Sequence, residues 1–510
     1  MLQNLLDGLA MVADPFTIMV VLLAGIFGLV MGALPGMTAT LGAALLIPFT
    51  FFMDPVPAIA SIISMAAMAI FAGDIPGALL RIPGTPSSAA YTGDAYELTK
   101  MGKGGLALGV SLVASVIGGL FGSILLIFIA PILGEFALNF TSFEYFWVAV
   151  LGLTAAVIVS RGRILKGAIA LMFGMLLSTV GLDITLGYPR FTFGNEQLYR
   201  GIDFIPAMIG LFGISEVLRT VTSRGESHAI HAVGTTRMRD SFASIWKFKS
   251  RVAMGAGIGG VVGAMPGAGS DIAAWISYAA TKNSSTGKKL SRQDRHIEPI
   301  VGAAAANNAA LGSAFVPMLA FGIPGDTITA ILVGVLLVKG ITPGPDLFLN
   351  QTDTLYAIYI IFILSQLVLL VIGFASIRFA PYVLRIPQSV LSVVIVAIAT
   401  VGAYAINNGY LEVIVMLVLG MIGFAFERAR IPLAPVVLGI VLGPIVERNF
   451  MSSVIKTNWR LGEFFTRPIS AVLIVLVVLF LFISPLMNAI QNRAEKKSKL
   501  AATDSDAIVG

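Results

Sequence analysis

The sequence predicts an all-α polytopic membrane protein, arranged as an inverted-topology repeat with broken helices and re-entrant hairpins. Three observations carry that prediction. The 510 residues are 57% apolar and 12% charged, whereas a soluble domain carries roughly 25% charged residues. Apolar runs at 106–131, 355–377 and 469–487 match or exceed the ~20 residues that cross a bilayer. A glycine-rich stretch also occurs twice: 28–36 and 259–267 both read G-x-V-x-G-A-x-P-G, at an offset of 231. A second pair, Ile82-Pro83-Gly84 and Ile323-Pro324-Gly325, follows in the same order at an offset of 241. Two ordered matches indicate an internal duplication. Pro-Gly interruptions at corresponding positions of two apolar halves are the best sequence pointer to a transporter site.

Charge sets the orientation of the elements. Residues 1–14 and the turn 53–57 hold no Lys or Arg, so the first hairpin, 16–52, broken at Pro35-Gly36, opens on the non-cytoplasmic side. The second hairpin, 251–280, is flanked by Arg237, Arg239, Lys247, Lys249 and Arg251 before it and by Lys282, Lys288, Lys289, Arg292 and Arg295 after it. It therefore opens toward the cytoplasm, opposite to the first. Further spans are expected at 106–130, 143–160, 164–181 and 204–218, then 355–377, 390–406, 412–426 and 431–446. A final helix at 469–487 places the basic tail inside. The count is about 11 to 13 membrane segments by length. The units are 1–221 (first repeat), 222–250 (basic loop), 251–446 (second repeat), 447–490 (loop and last helix) and 491–510 (basic tail). Arg448, Lys456, Arg460 and Arg467 would lie outside, against the charge rule. No cleavable leader is expected, because Asp7 and Asp14 stand where a basic region would be.

Composition narrows the chemistry. Cysteine is absent, which removes disulfides, thiol catalysis and Cys-bound metals. His228, His231 and His296 fall in polar loops, so a buried His relay is not expected, while a carboxylate relay stays open. The net charge of +6 reads as topology, with no nucleic-acid partner. No G-x-x-x-x-G-K-[ST] loop is present, and nothing flanks the membrane aspartates to suggest a protease pair. No enzyme activity and no cofactor are expected beyond Na⁺ or H⁺ as coupling ion. Most G-x-x-x-G pairs read as close helix packing.

The Pro-Gly steps read differently, because they free main-chain groups that membrane depth tolerates only beside protein or a watery cavity. The polar residues at these breaks are Gly36, Thr38 and Thr40; Arg81, Gly84, Thr85, Ser87 and Ser88; Gly267, Gly269, Ser270 and Asp271; and Asn307, Asn308, Asp326, Thr327 and Thr329. Half-helix N-termini, hydroxyls and amides suit a carboxylate. Arg81 could pair bidentately with it, or snorkel, or pair with Asp74. Asp271, Asp326, Thr329 and Asp94 are the candidate cation ligands, Asp94 alternatively capping a polar turn. The two asparagines could equally be interhelical glue.

At these residues the chain resembles the large membrane subunit of tripartite tricarboxylate transporters, the TctA-like family. The carriers are Gly32-Ala33-Leu34-Pro35-Gly36, Ile82-Pro83-Gly84-Thr85-Pro86-Ser87-Ser88 with Gly93-Asp94, and Gly263-Ala264-Met265-Pro266-Gly267-Ala268-Gly269. Ala305-Ala306-Asn307-Asn308-Ala309-Ala310 and Gly322-Ile323-Pro324-Gly325-Asp326 continue the match, which is distinctive over about 25–348. The resemblance implies a multi-pass protein of the bacterial inner membrane that imports di- or tricarboxylates on a cation gradient, Na⁺ first. It implies a small four-helix membrane subunit (TctB-like) and a periplasmic solute-binding protein (TctC-like) as partners, with a homodimer admitted. Asp94-Ala95-Tyr96-Glu97 departs from the family's usual Asp-Gly-Tyr-Pro. A passive anion channel or an exporter of small organic acids is the alternative.

Overall fold

The computed structural model describes residues 2–158, 164–222, 237–265, 269–285, 290–385, 388–479 and 481. An amphipathic helix, α1 (Leu2–Ala13), leads into α2 (Pro15–Ala33). Asp14 starts α2 by accepting the Thr17 N–H at 3.1 Å, with Pro15 as first residue, the position where a missing N–H is harmless. The helix stops before Pro35: Leu34 is extended, as a pre-proline residue prefers, and Gly36 turns at φ +91°. Thr38 then caps α3 (Ala39–Thr50) through the Leu41 N–H at 3.1 Å. The chain is therefore interrupted at Pro35-Gly36, where the sequence predicts a break.

α4 (Pro55–Ala72) and α5 (Asp74–Leu80) follow, then the second break and α6 (Thr92–Lys100). α7 (Gly104–Ala137), α8 (Ser142–Ile158) and α9 (Ile164–Ser178) lead to a short strand pair, β1 (Gly181–Leu182) with β2 (Pro189–Arg190). α10 (Phe204–Met208), a π-helical turn (Ile209–Ile214) and α11 (Ser215–Thr222) run on as one span. α12 (Met238–Lys247) precedes the second hairpin, α13 (Lys249–Gly263) and α14 (Gly269–Ser285). Its Pro266-Gly267-Ala268 step lies outside the described residues, as do His228, His231 and the basic tail. α15 (Arg292–Phe321), α16 (Thr327–Val338), α17 (Pro345–Asn350), α18 (Thr352–Val383), α19 (Gln388–Asn407), α20 (Tyr410–Arg428), α21 (Ala434–Lys456) and α22 (Glu463–Thr466) complete the order, before a last apolar helix at Pro468–Leu479.

Among the described residues nine helices are long and apolar enough to cross a membrane, and five shorter apolar helices accompany them. Those shorter helices include α3 and α16, each starting at a polar break, so part of the expected span count is met by half-helices.

Two buried helices organise the packing. α2 lies along α4, and α13 along α15. Gly28 and Gly32 of α2 sit on the backbone carbonyls of Met65 and Ala69, where a Cβ would overlap the oxygen. Gly259 and Gly263 of α13, the residues that match them 231 positions on, sit likewise on the carbonyls of Ala306 and Ala310. On its other side α15 takes Gly118 and Gly122 of α7 against Ala305 and Ala309. Close backbone approach gives α15 dispersion contact on both flanks without bulky side chains. A buried ion pair, Arg251 to Glu298 at 2.6 Å, pins the start of α13 to α15. The flanking helices exchange partners: α8 and α9 hold α21, while α19 and α20 hold the α10–α11 span.

The basic excess near 448–467 has a partial account. Arg467 donates to the buried Glu144 at 2.9 Å, and Lys456 reaches Ser142 at 3.2 Å. Lys456 spends a hydrogen bond on α8, and Arg467 is neutralised by Glu144.

Gly32→Val and Gly263→Val are each expected to lower the yield of folded protein sharply, since the added side chain meets main chain that cannot yield. Overpacking of this kind costs about 1–3 kcal/mol or more. Size-exclusion profiles and thermal melts in detergent check this against Gly93→Ala, where nothing stands within 4 Å of the added carbon.

Candidate functional site

The polar breaks converge. Thr38 and Thr40 at the start of α3, Thr85 and Ser87 in the second break, Gly269, Ser270 and Asp271 at the start of α14, and Asp326 and Thr327 at the start of α16 line one cavity of about 840 Å³. Direct contacts join them. Thr40 Oγ1 lies 3.0 Å from Thr327 Oγ1, linking residues 287 positions apart. Gly269, at φ +61°, packs on the side chain of Asp326, and the Trp275 indole N–H donates to the Pro86 carbonyl at 3.1 Å.

α3 and α16 run side by side in the same direction. Their first turns meet at Thr40 and Thr327, and at the other end Lys339 Nζ donates to the carbonyls of Phe51 and Met53 at 3.1 and 2.6 Å. Lys339 thus satisfies carbonyls at the end of α3, where a cation also suits the dipole. The positive ends of both helices, with that of α14, face the cavity. Asp326 caps α16 in a reciprocal box with Thr329: Oδ1 accepts the Thr329 N–H at 2.8 Å and the Thr329 hydroxyl at 2.8 Å. Thr329 itself is fully buried and spent on this cap.

The second break is held by another short polar turn. Ser88 Oγ donates to the Thr85 carbonyl at 2.9 Å and accepts the Thr85 N–H at 3.1 Å. The Ser88 N–H donates to Thr85 Oγ1 at 3.2 Å, and Ser87 Oγ lies 3.0 Å from the same oxygen. Ser87 and Thr85 face the cavity, whereas Ser88 is turned into its own loop. Gly84 supports the loop from behind: a Cβ there would meet the carbonyls of Gly73 and Gly32 at 2.7 and 2.8 Å.

Several sequence candidates lie elsewhere. Gly36 stands beside the cavity, its carbonyl accepting from Arg219 Nη2 at 3.0 Å. Arg81 is exposed at φ +62°, ending α5, with its guanidinium over the Tyr96 ring. Asn307 and Asn308 are buried within α15, away from the cavity lining. Asp94 joins α6 to α14 and α15: it accepts from the Tyr278 hydroxyl at 2.8 Å, and Lys282 Nζ and His296 Nδ1 lie 3.2 and 2.7 Å away. Gly267 lies outside the described residues.

Sequence reasoning passed over three cations. Arg219 at the end of the α10–α11 span, and Arg428 and Arg430 at the end of α20, all line the cavity, with Phe212, Phe424 and Ile431 as part of its apolar wall. The one available signal was their position at the ends of spans, which the charge rule absorbs as orientation. The lining carries Arg219, Arg428 and Arg430 together with Asp271, Asp326 and Glu427, and Arg219 is paired with Glu216 at 2.5 Å. The chemistry of such a lining suits an anion held at helix N-termini.

The family model described as "Tripartite tricarboxylate transporter TctA family" matches residues 18–438. An "uncharacterized 52.8 kDa protein in TAR-I ttuC' 3'region" of Agrobacterium vitis is 32% identical over 501 residues, covering 97% of this chain and 98% of that one. A second Agrobacterium vitis protein, from the "TAR-II ttuC' 3'region", is 34% identical over 218 residues, 42% of this chain and 89% of its own. No solved structure matches significantly. A match over most of the chain, on a polytopic helical fold with its polar breaks gathered round one cavity, establishes the family: the chain belongs to the TctA family of tripartite tricarboxylate transporters, a family of transporters and not of enzymes.

Proposed function

We propose that this chain is the permease subunit of a binding-protein-dependent secondary transporter that imports di- or tricarboxylates on a cation gradient. The observation that carries the reading is the shared cavity, in which three half-helix N-termini and three arginines meet beside hydroxyls from all four breaks. Oriented N–H groups and positive dipole ends favour carboxylate groups there. The volume is within the range of small-molecule sites, roughly 300–1,000 Å³. Because carboxylates at the lining offset its arginines, a trianion entering alone would leave net charge in a low-dielectric setting. Co-entry of cations removes that cost, which supports coupling over passive passage.

The partners follow from the family: a small four-helix membrane subunit and a periplasmic solute-binding protein that delivers substrate. The chain's place is the bacterial inner membrane, N-terminus periplasmic and C-terminus cytoplasmic. Arg219, Arg428 and Arg430 then mark the cytoplasmic mouth, and the cavity opens inward. The duplicated hairpins support alternating access, in which two oppositely oriented halves exchange conformations.

Citrate uptake into proteoliposomes that hold this chain with its small subunit, with the solute-binding protein supplied, is expected to depend on an imposed cation gradient. Uptake that ignores every ion gradient favours the channel alternative. Arg219→Ala and Arg428→Ala are each expected to weaken citrate binding about tenfold, equivalent to about 1.4 kcal/mol, by calorimetric titration of the purified protein. Unchanged affinity in both would take the substrate out of this cavity. Ser87→Ala should raise the KM for uptake with little change in melting temperature. Ser88→Ala should do the reverse, losing about 1 kcal/mol of stability with its turn hydrogen bonds.

A further inference from the structure

Behind the second break is a polar group of side chains that the cavity does not use. Asp74 opens α5 and is 3% exposed. The Tyr91 hydroxyl donates to its Oδ1 at 2.6 Å, and the Ser111 hydroxyl donates to its Oδ2. Tyr91 and Ser111 are themselves buried, at 1% and 2% exposed. The amide of Asn307 lies against the Tyr91 hydroxyl, and its Oδ1 has no hydrogen-bond partner. Both hydroxyls can donate to the carboxyl group when it is ionised, since a carboxylate only accepts. Among the described residues its polar partners are these hydroxyls and no cationic side chain. An unanswered charge at membrane depth is costly and marks function by default.

We propose that Asp74 is a proton-binding site, loaded and emptied during the transport cycle and coupled to the substrate cavity through residues 82–91. The inference rests on the transport reading and adds the coupling ion and its site. A proton suits the place because it needs no vacant volume and no cage of ligands, and neither Asp74, Tyr91, Ser111 nor Asn307 lines the cavity. A proton bonds to Oδ1, which turns from acceptor to donor toward the Tyr91 hydroxyl that faced it. That hydroxyl's own hydrogen then needs a new acceptor, and a half-turn of the Asn307 amide presents the oxygen that is empty now.

The link to the cavity is short. Gly73, next to Asp74, touches the Thr85 side chain, and its carbonyl accepts the Gly84 N–H at 3.1 Å. Thr85 and Ser87 line the cavity, and Tyr91 follows the single 3₁₀ turn Ser88–Ala90. A substrate that draws on Thr85 or Ser87 therefore moves the strip that ends in the Tyr91 hydroxyl.

Other ionisable groups stand apart from Asp74. α2 and α4 carry none, and α7 carries only Glu135, near its far end. On α6, Asp94 faces Tyr278, Lys282 and His296, Glu97 pairs with Lys100, and Tyr96 lies under Arg81 and Lys100. At the start of α15, Glu298 pairs with Arg251 and Asp294 with Lys247, with Arg292 and Arg295 on the same end. Tyr91 is left as the titratable group that shares the site.

The test uses the reconstituted transporter with radiolabelled citrate. In the wild type an inside-alkaline pH gradient should drive accumulation. In Asp74→Asn, citrate–citrate exchange should stay within about twofold of wild type while gradient-driven accumulation falls at least about tenfold, the size of a typical coupling free energy. Asp74→Glu should keep coupling with a displaced pH profile. Accumulation by Asp74→Asn equal to wild type overturns the site and leaves the transport reading standing; no citrate movement in the wild type under any gradient overturns the transport reading. Should Asp74→Asn also lose exchange, infrared spectra decide. A carboxylic-acid carbonyl band that titrates with pH in the wild type and is missing in Asp74→Asn upholds proton binding, and its absence from the wild type overturns it. A wild type driven by a sodium gradient but not by a pH gradient, with no such band, overturns it as well.

Discussion

Main-chain N–H and C=O groups cannot be left bare in hydrocarbon, and this constraint governs the molecule. Each Pro-Gly step frees several of them, so each must be enclosed by protein or by a watery space. Enclosure here depends on how closely helices approach. α4 and α15 are wrapped by glycine faces of α2, α7 and α13 that rest on their backbone carbonyls. The same contact also holds the broken ends in register. Gly84 sits against the carbonyls of Gly32 and Gly73, so the first and second breaks are locked together by the absence of a side chain. Bulkier packing would separate the breaks and expose their polar groups.

The enclosed ends then act as a unit. α3 and α16 lie parallel with their N-termini together, an arrangement that two helix dipoles alone would disfavour. Two local devices offset it: the Thr40–Thr327 contact at one end and Lys339 over the α3 carbonyls at the other. A bound anion would relieve the remaining repulsion at the N-termini. Three arginines stand round the same space with Asp271, Asp326, Glu427 and the Glu216 that pairs with Arg219, so an anion entering there meets charges of both signs.

The breaks were legible because proline and glycine act through the backbone, and a backbone interruption in an apolar run has few explanations. Thr38, Thr40, Thr85, Ser87, Ser270 and Asp326 followed from adjacency to them. Side-chain direction was harder to read. Arg81 lies one turn from the cavity residues in sequence, yet its left-handed backbone turns it outward over Tyr96. Ser87 and Ser88 are neighbours with opposite duties, one facing the cavity and one closing its own turn. Asn307 and Asn308 are set by the rotation of a continuous helix, which carries them away from the break that follows it. Arg219, Arg428 and Arg430 were hidden for another reason: charges at span ends serve topology and binding alike, and a single sequence does not separate the two uses. Asp94 shows the converse. Its neighbours Tyr278, Lys282 and His296 come from the other half of the chain, so only the fold reveals that its charge is already answered.

Placing a proton site behind the cavity, not inside it, has a mechanical consequence. A carboxylate within the cavity would compete directly with an anionic substrate for the same positive ends. A carboxylate behind Thr85 and Gly73 makes no contact with the substrate and acts on it through the loop between them and through its charge. Charge balance then constrains the order of events. With Asp74 ionised, the region beside α5 carries an extra negative charge and resists an incoming anion; once the proton is bound, that resistance falls and the Tyr91 end of the strip is free to take a new hydrogen bond. Loading of the proton before the substrate follows from electrostatics alone, because the neutral form is the one that tolerates a second negative group on the far side of a single loop.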